Sequence, residues 1–96
     1  MSAAFSWIRA EPHGLHVVPA DAWIDPARRV ERALVTHGHS DHARGGHGRT
    51  IATPATLAIM KLRYWTDLGA TPVEYGETIH LPGAVEATYV PAGHVL

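Results

Sequence analysis

The stretch VERALVTHGHSDH, Val30 to His42, decides how this chain is read. Its first half closes on the apolar run Ala33-Leu34-Val35, the pattern of a short strand buried on both faces. Its second half sets His37, His39, Asp41 and His42 within six positions, with Gly38 and Ser40 between them. Packing a core does not call for clustered imidazoles, whereas polar side chains on a loop at the end of a buried strand are a common way to build a site. If the chain stays extended into the motif, His37 and His39 project to one side, because side chains alternate along a strand. Gly38 and Ser40 then let it turn and present Asp41 and His42 in a second direction. Imidazole nitrogen and carboxylate oxygen hold Zn²⁺ at roughly 2.0–2.2 Å, and three protein ligands leave a position open for water, the catalytic pattern. The competing reading is a solvated histidine-rich loop that binds metal loosely.

Outward from the motif, the spacing predicts a mixed α/β order with one helical layer. Gly14–Pro19 (GLHVVP) and Ala22–Pro26 (AWIDP) read as short strands bounded by Gly and Pro. Arg49–Pro54 (RTIATP) reads as another. Next comes the clearest helix, with Thr53 as cap, Pro54 in the first turn and Gly69 as the stop. Leu57, Met60 and Tyr64, followed by Leu68, make one buried stripe on it. Residues 77–94 (ETIHLPGAVEATYVPAGH) predict a hairpin turning at Pro82-Gly83, with Val85, Ala87 and Tyr89 alternating toward one face.

The bulk properties are permissive. With 96 residues the chain holds at most one small domain. Apolar residues make up 46% and charged residues 18%, too apolar for disorder. A formal charge of −1 announces neither a nucleic-acid-binding basic face nor an acidic tail. There is no cysteine, so any metal must be held by imidazole and carboxylate. No signal peptide or membrane span is visible, which makes a cytoplasmic protein without membrane association the expectation. The C-terminal Val95 and Leu96 are apolar and want a neighbour, which suggests a piece of something longer.

The motif THGHSDH after an apolar strand resembles the signature of the metallo-β-lactamase superfamily. The longer phrases WIDPARRVERALVTHGHSDHARGGHG and VPAGHVL look like the ligase-associated DNA exonuclease group, akin to the β-CASP nucleases and RNA 3′-end-processing enzymes. The likeness runs from about Trp7 to the last residue. It implies that residues 1–96 form the N-terminal half of a four-layer αββα sandwich, a mixed β-sheet with one helical layer. It further implies a di-zinc type phosphodiester hydrolase (Mn²⁺ being a second candidate ion) in which a metal-activated hydroxide attacks the phosphate. By the resemblance, His37, His39 and His94 hold the first metal, Asp41 and His42 contribute to the second and to catalysis, and Asp25 orients the site from behind the ligands. DNA is the implied substrate, with RNA as an alternative and a DNA ligase or helicase as an associated partner in repair. The family's later bridging aspartate and last metal histidine have no counterpart here, since the chain stops two residues after His94. Other expectations compatible with the motif are a thioesterase or lactonase of the same superfamily, or a catalytically silent metal-binding fragment.

Further residues are assigned more plainly. His47, between glycines, is read as mobile and outside the ligand set. His13, His16 and His80 are placed on strand edges or in solvent. Arg44 and Arg49 flank the motif and could meet phosphate, although solvation explains them as well. Arg28, Arg29 and Arg32 suggest an exposed charged turn or short helix, and Trp7, Trp23 and Trp65 suggest packing.

Overall fold

A computed structural model of the chain describes residues 7–38, 46–63 and 69–91. Two short strands open the fold, β1 (Ile8–Glu11) and β2 (Gly14–Val17), and a 3₁₀ turn at Val18–Ala20 leads into β3 (Ala22–Ile24). β4 (Arg32–Leu34) and β5 (Arg49–Ala52) precede helix α1 (Pro54–Arg63), and β6 (Ala70–Pro72) follows it. β7 (Thr78–Leu81) and β8 (Val85–Thr88) close the order, joined by a 3₁₀ turn at Pro82–Ala84. Strands β1 to β6 form one sheet in sequence order, antiparallel from β1 to β3 and parallel from β3 to β6. β7 and β8 pair with each other as an antiparallel hairpin.

Both faces of the large sheet are used, which is why the run Ala33-Leu34-Val35 is apolar throughout. On one face Leu34 and Ile51 join Val17, Ala20, Ala22 and Val73 beneath the hairpin, which contributes Ile79, Leu81, Val85, Ala87 and Tyr89. On the other, Val35 and Ala52 meet Leu57 and Met60 of α1. The result is α+β in three tiers: one helix, a strand-rich sheet and a hairpin. Burying a side chain of the size of Met60 or Val35 contributes roughly 1.5–3 kcal/mol, so the sheet's middle strands carry the packing.

The helix starts as its cap chemistry dictates. Thr53 Oγ1 accepts the Thr56 N–H at 3.4 Å, and Thr53's carbonyl accepts the Leu57 N–H at 3.0 Å. Leu57 and Met60 are buried as the stripe requires, while Tyr64, Trp65 and Leu68 lie outside the described residues. Gly69 adopts φ +56°, and an added Cβ there would collide with the Gly48 carbonyl, so two constraints demand glycine at the entry to β6. The turn at Pro82–Ala84 places Gly83 at φ +76° against the Pro19 carbonyl, in agreement with a reversal at Pro82-Gly83.

Several assignments are corrected. The strand read over Gly14–Pro19 ends at Val17, because Pro19 removes a ladder donor and the chain coils into the 3₁₀ turn. Arg32 belongs to β4, not to a charged turn, and its guanidinium donates to the Ala20 carbonyl at 2.8 Å. His16 lies inside the sheet, stacked 4.1 Å from Trp23 with its Nε2 3.0 Å from Asp21 Oδ1. His13 tilts against the same indole at 4.2 Å, so Trp23 does pack, but on imidazoles. Trp7, by contrast, is 42% exposed. His80 is exposed on β7 opposite Glu86, as expected. No helix among the described residues is long and apolar enough to cross a membrane.

Candidate metal centre at the carboxyl end of β4

β3 and β4 run parallel as neighbours, so the residues that follow each emerge at the same end of the sheet. Asp25 follows β3; Thr36 and His37 follow β4. Asp25 takes a left-handed backbone, φ +48°, which aspartate tolerates better than most residues at a cost of about 1 kcal/mol. In that conformation its N–H donates to the Leu34 carbonyl at 2.9 Å and its carboxylate faces the chain leaving β4. Oδ1 accepts the Thr36 N–H at 2.8 Å, and Oδ2 accepts the Thr36 hydroxyl at 2.7 Å.

This clamp determines the state of His37. Thr36 Oγ1 lies 2.8 Å from His37 Nδ1. A threonine hydroxyl has a single proton, and here it goes to Asp25, so toward His37 the oxygen can only accept. When the ring is neutral, that arrangement favours the tautomer with its proton on Nδ1. A carboxylate acting on a histidine in this way fixes both tautomer and ring orientation, the usual arrangement behind a metal-bound imidazole. A neutral imidazole oriented from Nδ1 in this way is a donor that suits a divalent cation.

Two further contacts tie down this end of the sheet. Arg63, in the last turn of α1, donates from Nη2 to the buried Gly38 carbonyl at 3.0 Å. Tyr89, just beyond β8, donates its hydroxyl to the Ile51 carbonyl at 2.9 Å, and that carbonyl also accepts the Val35 N–H at 2.9 Å. Burial, and secondarily the Asp25 carboxylate, push the Tyr89 phenol well above its ordinary range, with the Val35 backbone hydrogen bond opposing them. The Tyr89 phenol thus reaches the Val35–Ile51 pair, while its backbone carbonyl accepts the Gly76 N–H at 2.8 Å.

Of the residues read from sequence, Asp25 and His37 are brought together through Thr36. His39, Asp41, His42 and His94 lie outside the described residues, as does Arg44. Among the described residues no three His, Cys, Asp or Glu side chains converge as a metal cluster. His47 is corrected: it is buried rather than mobile, and its Nδ1 accepts the Val30 N–H at 3.1 Å. It precedes β5 at the amino ends of the parallel strands, beside Val30, and so at the opposite end of β4 from His37. Arg49 sits at that same far end, opposite Arg32, donating to Thr71 Oγ1 at 2.9 Å, so it does not flank the motif. Thr36, Arg63 and Tyr89 were missed. A short hydroxyl residue between an apolar strand and a histidine was a usable signal for Thr36, and a buried tyrosine always needs an acceptor. Nothing local marked Arg63.

Comparison with known proteins adds a context. Over 83 residues, 86% of this chain, the sequence is 30% identical to a protein of Opitutus terrae named Probable DNA ligase. The aligned region is 8% of that protein, so the chain spans a small part of its relative's length. No family model and no solved structure matches the chain.

Proposed function

We propose that residues 1–96 form the N-terminal half of a metallo-β-lactamase-type αββα sandwich, and that the protein is a metal-dependent phosphodiester hydrolase, most specifically a DNA exonuclease that works alongside a DNA ligase. The observation that carries this reading is the Asp25–Thr36–His37 relay, which orients the ring of the first histidine of H-x-H-x-D-H through Nδ1 at the carboxyl end of a central parallel strand. The helix, sheet and hairpin tiers are compatible with the first half of such a sandwich, and the ligase-named relative supports a DNA context over thioester or lactone substrates.

In this proposal His37, His39 and His94 hold a first cation, while Asp41 and His42 contribute to a second. The chain from Tyr89 to His94 is five residues, at most about 18 Å when extended, a reach sufficient for convergence. Zn²⁺ or Mn²⁺ bound there would supply Lewis acidity, making water a nucleophile near neutral pH and offsetting charge on the phosphate oxygens. The chain's own part is positional. Asp25 restrains Thr36 by two hydrogen bonds, and Thr36 restrains the His37 ring, so little side-chain freedom is lost when a cation arrives. Tyr89 keeps the end of β8 fastened to β5, which sets where the following loop begins.

The test is twofold. Zn²⁺ titration of the chain should give tight binding that His37→Ala weakens by at least tenfold. End-labelled single- and double-stranded DNA should lose label in the presence of Zn²⁺ or Mn²⁺, and a His39→Ala variant should not digest it. Equal digestion by both proteins would remove the motif from the mechanism.

A further inference from the structure

Among the described residues β1 is the outermost strand of the large sheet and pairs on one side only, with β2. The Val18 N–H donates to the Trp7 carbonyl at 2.9 Å, and those two residues continue the β1–β2 register by one step. Hydrogen-bonded and non-hydrogen-bonded pairs alternate along an antiparallel ladder. Arg9 and Glu11 therefore also turn their backbone groups toward β2, while Ile8 and Ala10 turn theirs to the open edge. Such an edge is a template for another strand unless its side chains repel one.

Here the side chains do the reverse. Arg9 and Glu11 are both exposed, lie two residues apart on one face, and make no ion pair among the described residues. A twofold axis through Ala10 sets Ala10 against Ala10 of a second copy as a hydrogen-bonded pair. Arg9 of each copy then faces Glu11 of the other in the flanking non-hydrogen-bonded pairs, where side chains come closest. Centring the axis one residue earlier would oppose two arginines, and one residue later two glutamates. On the other face Ala10 is exposed and its cross-strand partner Leu15 is 42% exposed, so the same axis extends two small apolar patches into one. We infer that β1 is a self-association edge, through which two copies of this chain pair antiparallel over Ile8–Glu11 about a twofold axis at Ala10. An isologous contact of this kind uses both β1 edges at once, so its product is a closed dimer. The pairing is short, which places it among small, transient interfaces. It is independent of any metal centre.

Sedimentation velocity of the full chain, from micromolar to millimolar concentration, reads the association. The wild type should pass from monomer to dimer. Arg9→Glu or Glu11→Arg opposes like charges at both pairs and should weaken the dimer about tenfold. The double exchange Arg9→Glu/Glu11→Arg restores both pairs with their signs swapped and should recover wild-type association. Ala10→Pro removes the central donor of each copy, yet it falls on the open side of an edge strand, where proline is tolerated. It should abolish the dimer with little change in melting temperature. A wild-type chain that stays monomeric or forms larger species, a double exchange no better than the single ones, or a dimer that Ala10→Pro leaves intact would overturn the inference.

Discussion

Replacing Thr36 by valine removes one hydroxyl and keeps the residue's shape, β-branching and backbone donor. Two contacts disappear: the 2.7 Å bond to Asp25 Oδ2 and the 2.8 Å bond to His37 Nδ1. The backbone N–H stays on Asp25 Oδ1 at 2.8 Å, so the carboxylate is not abandoned. A hydrogen bond to a charged group is worth about 1.5–3 kcal/mol when shielded, but Thr36 is exposed and water can replace much of it, which leaves about 1 kcal/mol of stability at risk. For a domain of this size that lowers the apo melting temperature by roughly 4–8 °C. Metal affinity should suffer more than stability. With no acceptor on Nδ1 the ring can rotate and change tautomer, and losing such an outer partner weakens metal binding by about 10–100-fold, equivalent to roughly 1.4–2.8 kcal/mol. Thr36→Ser keeps the hydroxyl and should keep most of the affinity. Calorimetric Zn²⁺ titrations of the three proteins decide the matter. Valine binding Zn²⁺ as tightly as threonine, or serine as weakly as valine, would refute the relay.

Three other variants test separate parts of the structure. Tyr89→Phe should cost about 1 kcal/mol at pH 7 by removing the hydroxyl from the Ile51 carbonyl, measured by urea unfolding. Because the folded state holds the phenol protonated above its unfolded value near 10, wild-type stability should be complete below about pH 10 and decline above it, a decline absent from the Tyr89→Phe variant. His47→Ala should destabilise by about 2 kcal/mol, leaving the Val30 N–H without its acceptor, yet leave Zn²⁺ affinity unaltered because His47 lies at the opposite end of the strands. Gly69→Ala should cost about 2 kcal/mol, from a left-handed backbone and the encounter with the Gly48 carbonyl, visible as a lower melting temperature.

The buried strand before the motif and the helix after it were legible because each has a period that packing enforces. Leu34 and Ile51 point to the hairpin, Val35 and Ala52 to the helix, and continuous apolar runs are the signature of strands covered on both sides. The first hairpin was less visible: β1, with Ile8, Arg9, Ala10 and Glu11, is a short exposed strand whose pairing is decided by its partner β2. His47 misled because glycine neighbours suggest mobility, whereas its ring fills a buried place between two strand entrances. In the candidate site, Asp25 and His37 could be named from sequence because a motif carries them. Thr36 carried a faint local signal, a hydroxyl residue between an apolar strand and a histidine, but its contacts to Asp25 and the Arg63 bond to Gly38 depend on which chain ends the sheet brings together, which no local pattern encodes.

The central claim concerns one ring. Long-range proton–nitrogen NMR on chain labelled at histidine reports directly which nitrogen of His37 is protonated. The account predicts a proton on Nδ1 and an unprotonated Nε2 in the metal-free protein at about pH 7.5, above the ordinary histidine range, with Nε2 the nitrogen whose resonance moves when Zn²⁺ is added. A proton on Nε2, or an Nε2 signal indifferent to Zn²⁺, would contradict it.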